Sequence, residues 1–178
     1  MMMKNRDLAY CGLFGAAALL LPVLFHLVHL GHIFMPMYLP LVTLAFFVRP
    51  GMSALTALVV PLLSGAVTGM PPFYPPVAPV MSVELALMAL IIGFLRFLLP
   101  RTKVLIVLIP VLVIGRVASA GLMYLIARFM ELPAKFIAGI SFLSGWPGII
   151  LMIVVVPAIV RLSNNQVQIL ETSKPNER

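Results

Sequence analysis

The chain has 178 residues, of which 62% are hydrophobic and 10% charged, with a mean hydropathy of +1.15 and a formal net charge of +7. A soluble domain of this size cannot cover so much apolar side chain with so few charges, so the solvent that fits is a lipid bilayer. The basic residues sit at the ends of apolar runs rather than in one patch, which argues against nucleic acid as partner, and the single cysteine, Cys11, excludes an internal disulfide or a multi-cysteine metal site.

Six membrane spans are predicted. The first covers about Leu8–Leu30. Lys4 and Arg6 before it resemble the start of a secretory signal, but the apolar run is too long and no A-x-A site ends it. The second, about Ile33–Val48, is short, carries Pro36 and Pro40, and is closed by "RPG" at Arg49–Gly51, so it is expected to be irregular or tilted. The third runs over about Met52–Gly69 and leads into "TGMPPFYPPVAPVMSVEL", which starts at Thr68 and reaches its only charge at Glu84. The fourth covers about Val80–Leu99 and ends at "PRTK", the fifth about Val104–Met130, and the sixth about Lys135–Val160. The fold class is therefore all-α and integral to the membrane, with one six-helix domain over residues 1–161 and a polar tail, expected to be frayed, over 162–178.

With six spans both termini share a side. That side holds Lys4, Arg6, Arg49, Arg96, Arg101, Lys103, Arg161, Lys174 and Arg178, whereas the other holds Arg128 and Lys135. The excess predicts cytoplasmic termini and a cytoplasmic tail, with the proline loop outside. Pro22, Pro61, Pro110 and Pro157 fall inside spans, where the backbone groups they free must be satisfied within the protein.

Few residues can carry chemistry. Glu84 is placed about one turn inside the fourth span and Arg116 near the middle of the fifth. Ionisable groups at such depth are costly and face the protein interior or a water-filled cavity. Glu84 reads either as a site residue or as a structural partner or helix cap. Arg116 is too far from both helix ends to snorkel, and Ser119, Ala120 and Met123 share its face, as suits a bound ligand or a close helix contact. His26 and His29, with His32 beyond, have a spacing that can bind metal, yet no carboxylate or cysteine nearby in sequence completes a site. Trp146, in "SFLSGWPGI", reads as a bundle residue or as a platform for a planar ligand. No G-x-x-x-x-G-K-S/T, G-x-G-x-x-G or H-E-x-x-H is present, so the chain carries no ATPase of its own and no cofactor is expected in it.

The segment Phe34–Leu95 resembles the substrate-binding S components of energy-coupling factor (ECF) transporters, in the broad group with riboflavin, pantothenate and cobalamin carriers. The matching elements are Pro36–Met37, the P-L-L-S run Pro61–Ser64, the T-G-M-P-P loop Thr68–Pro72 and the M-x-x-E-L run Met81–Leu85. Tyr38 departs from the histidine that often follows the proline-methionine pair. The resemblance implies a non-enzymatic subunit of an ABC importer in a prokaryotic cell membrane. It would capture a vitamin-like small molecule from outside and work with a transmembrane coupling protein and two cytoplasmic ATPases, which alone use ATP. It also implies a lid carrying Met70, Phe73 and Tyr74 above Glu84. A partner-docking face follows at Gly12, Gly15 and Ala16, where an alanine-x-x-x-alanine motif is matched in part. Two rival readings are an integral-membrane metalloenzyme using His26 and His29, and a non-transporting membrane scaffold.

Overall fold

The computed structural model describes residues 5–27, 36–131 and 146–172, the side chains of 26–27 and 164–172 excepted. Six α-helices lie among these residues: α1 (Asn5–Leu27), α2 (Tyr38–Leu44), α3 (Pro50–Thr68), α4 (Val77–Leu98), α5 (Val104–Phe129) and α6 (Trp146–Thr172). There is no strand among the described residues. All but α2 are long and apolar enough to cross a bilayer. Their outward faces are apolar, as at Phe97 and Phe129, the latter 88% exposed. In water such a surface would aggregate; in lipid it is the solvated face.

The second predicted span takes a different form. Its described part is a seven-residue helix followed by turns. At 1.5 Å per residue α2 is only about 10 Å long, so it cannot cross a membrane alone. Pro36 stands before the helix and Pro40 lies in its first turn, where a missing N–H leaves no intrahelical bond unmade. An interrupted backbone at membrane depth is tolerated only where protein covers it. That cover is present: Met37, Tyr38, Leu41, Val42, Thr43, Leu44 and Ala45 are all buried. At the other end of the chain the helical backbone of α6 continues to Thr172, past Arg161, where the sequence suggested a frayed tail.

α3 and α4 form an antiparallel hairpin with the most extensive packing among the described helices. α3 starts with Pro50 after an extended Arg49 and stops at Gly69, whose φ of 73° is left-handed and whose N–H bonds the Gly65 carbonyl. Near the opposite end of the hairpin, Gly93 lies against Pro50: a Cβ at Gly93 would sit 2.8 Å from Pro50 Cα. Because a backbone atom and a rigid ring block the space, Gly93→Ala is expected to destabilise the protein by about 1–3 kcal/mol, as overpacking does. Thermal unfolding of the purified variant checks this, and an unchanged midpoint would mean the helices separate freely there.

Three contacts show which helix ends lie together. Asp7, at the start of α1, is buried and pairs with Arg49 at 3.6 Å. The Arg96 guanidinium, in the last turn of α4, lies 5.9 Å from the Phe46 ring centroid and donates to the Thr102 carbonyl. Gly93 against Pro50 joins the same ends of α3 and α4. The starts of α1, α3 and α5 and the end of α4 therefore share one face, which collects Arg6, Arg49, Arg96, Arg101 and Lys103. The proline loop between α3 and α4 lies at the other end. Close by the basic face, Tyr10, Phe14 and Phe47 stack beside a small cluster of Cys11, Leu44 and Val48.

Candidate functional site

The main core brings α2, α4 and α5 together with α1, α3 and α6, and its apolar members include Leu41, Leu85, Met88, Leu108 and Met152. Inside it lies a charged centre. Glu84 is in α4, seven residues beyond Val77. The helix begins three residues before the predicted start, so the carboxylate stands about 10 Å, or two turns, from the helix end rather than one. Arg116 stands 12 residues from Val104 and 13 from Phe129, at the middle of α5. Tyr38 opens α2. Glu84, Tyr38 and Arg116 are 1%, 4% and 5% exposed.

Their geometry is specific. Tyr38 Oη–H donates to Glu84 Oε2 at 2.5 Å, the short end of the range for a hydroxyl on a carboxylate. Arg116 Nη2 lies 3.0 Å from Glu84 Oε1. The Arg116 guanidinium carbon is 4.9 Å from the centroid of the Tyr38 ring, within the cation–π range. The Arg116–Glu84 contact is an ion pair by distance, yet neither atom meets the angular requirements of a hydrogen bond with any described residue. Desolvating two such ions costs several kcal/mol each, which makes a buried pair weak evidence for stability and a default marker of function inside a membrane.

Neighbours on α5 shape this centre. Ser119 and Met123 are buried on the Arg116 face, while Ala120 is partly exposed. Gly115, which the sequence did not mark as functional, faces Met88: a Cβ there would lie 2.5 Å from Met88 Sδ. The absent side chain leaves the space between α4 and α5 to Met88. The helical period shows that Gly115 adjoins Arg116, but only packing shows that Met88 fills its space.

The other expected site residues are placed by the structure as follows. Phe73 and Tyr74 are in the proline loop and are 49% and 67% exposed. The loop is anchored at its start: Ser64 Oγ–H donates to the Met70 carbonyl, and Met70 N–H donates to Thr68 Oγ1. It folds back on α3, because a Cβ at Gly65 would meet the Pro71 carbonyl and the Phe73 ring within 3 Å. Phe73 thus packs toward α3. Trp146 is the first residue of α6 and is 45% exposed. Gly12 and Ala16 face outward on α1, with nothing within 4 Å of a Cβ at Gly12. Gly15 instead faces inward, against Val60 and Thr56 of α3. His29, His32 and the His26 side chain lie outside the described residues, among which no group of three metal-ligating side chains occurs.

This is the architecture of a multi-pass helical membrane protein with a buried tyrosine–carboxylate–guanidinium centre. The chain matches no protein-family model, no curated protein and no solved structure.

Proposed function

We propose that this protein is the substrate-capture subunit of an ECF-type importer in a prokaryotic cell membrane. It binds a vitamin-like small molecule from outside and passes it inward with a coupling protein and two ATPases. One observation carries the reading. The proline-methionine element and the M-x-x-E-L run are the motifs that resemble S components; Tyr38, which follows the first in place of the usual histidine, and Glu84, within the second, are 46 residues apart in the chain and are joined by a hydrogen bond beside Arg116. Two motifs that share a function are expected to meet at one site, and a buried charged centre in lipid is where a polar substrate is held.

In this reading the basic face is cytoplasmic, both termini lie on the cytoplasmic side and the proline loop is outside. The five described spans and α2 make up the six-part membrane domain. Mass spectrometry of small molecules released from the denatured, purified protein is the direct test. A stoichiometric micronutrient-like compound is expected; a protein that releases none and binds none from a nutrient panel is not a capture subunit.

The proline loop acts as the lid in this scheme, and it opens and closes as a unit because its prolines restrict the unfolded alternatives. Replacing Phe73 and Tyr74 together with serine is expected to speed release of substrate more than it slows entry, since lid contacts form after entry. Stopped-flow exchange measures both rates. Equal off-rates in the variant and the parent would reduce the loop to a connector.

A further inference from the structure

Two polar atoms at the charged centre are buried and lack hydrogen-bond partners among the described residues: Glu84 Oε1 and Arg116 Nη2. They lie side by side, 3.0 Å apart. Buried polar groups in native proteins are nearly always hydrogen-bonded, so each of these invites a partner. The other carboxylate oxygen is already engaged by Tyr38 Oη–H, and the guanidinium is held against the Tyr38 ring. Oε1 and Nη2 thus present an acceptor beside a donor. The charges of Glu84 and Arg116 cancel. Among the described residues the other buried carboxylate is Asp7, which is paired with Arg49 at the basic face.

Resting on the capture reading above, we propose that the ligand is neutral at this point and presents a donor and an acceptor on adjacent atoms. The lactam edge of a nitrogen heterocycle has this form. Its N–H donates to Glu84 Oε1 and its C=O accepts from Arg116 Nη2. Both bonds are charge-assisted, and the charge balance of the site is unchanged. An anionic ligand group would meet the Glu84 carboxylate with no second buried cation among the described residues to offset it. A cationic group would meet Arg116 in the same way. In a low-dielectric site either would be strongly disfavoured. A site that pairs with a ligand N–H also discriminates against the analogue that lacks it, because its own buried group is then left unpaired.

The experiment uses the full-length protein in detergent and titration calorimetry. The probes are uracil, hypoxanthine and lumazine, each beside its lactam N-methyl analogue, with nicotinate and benzamidine as anionic and cationic rings. At least one lactam is expected to bind saturably, and methylation of its lactam nitrogen to weaken it about tenfold or more. Glu84→Gln is expected to weaken the same probe similarly, but the methylated analogues make the test independent of how that variant folds. Indifference to methylation, or nicotinate or benzamidine binding as tightly as the lactams, overturns the lactam assignment and leaves the capture function standing. Where no probe binds, the co-purified molecule decides: one with a lactam edge supports the assignment and one without it overturns it. A protein with neither a bound molecule nor a saturable ligand loses both readings.

Discussion

Arg116→Met is expected to destabilise the folded protein by about 3–5 kcal/mol, the cost of breaking a buried ion pair from one side. Methionine keeps the length of the side chain and removes its charge, so packing against Tyr38 and Ser119 changes little. What changes is Glu84, which is 1% exposed and loses its cation while keeping the Tyr38 Oη–H bond. Glu84→Gln in the same chain removes the stranded charge. The double variant is therefore expected to be more stable than Arg116→Met alone, with a coupling between the sites of about 1–3 kcal/mol. Reversible unfolding in mixed micelles measures all four proteins of the cycle. Strict additivity would show that the 3.0 Å contact does not couple the two residues. Under the capture reading, Arg116→Met also weakens the substrate by about 1.4 kcal/mol or more, a tenfold loss.

The combined variant Gly12→Leu, Ala16→Leu is expected to abolish ATP-dependent uptake while leaving substrate binding to the isolated protein intact. Both residues lie on the exposed face of α1, and a side chain grown at Gly12 meets nothing within 4 Å. The fold has room for both leucines. A partner helix would not, because small-x-x-x-small pairs in lipid work by letting two backbones approach closely. Gly15→Leu is the internal control. It points at Val60 and Thr56 of α3, so it is expected to lower stability of the isolated protein instead. Uptake by reconstituted transporter and binding to the isolated subunit are measured on the same preparations. Full uptake by the double variant would remove this face from docking, and loss of binding would show that α1 supports the site from within.

The sequence determined the solvent and most of the framework. Long apolar runs between basic clusters define helices by length and hydropathy alone, and the bounds of α5 match the expected span within a residue. Pro36 and Pro40 marked the second span as irregular, because proline restricts the backbone wherever it stands. Glu84 and Arg116 were legible as candidates, since a charge in an apolar run has few inexpensive explanations.

Other features were decided only by tertiary packing. Nothing in a separation of 46 residues says that Tyr38 meets Glu84, because contact across helices depends on crossing angle and relative depth. α2 stops and starts inside the protein, so its first residue lands beside α4 and α5 rather than at a membrane surface. Gly12 and Gly15 differ by less than one turn, yet one looks outward and the other packs on α3, because α3 covers only one side of α1. Phe73 turns toward Gly65 because the loop carbonyls of Met70 and Pro71 are drawn to the end of α3. Local sequence sets which groups need partners, whereas the three-dimensional fold selects which partners they find.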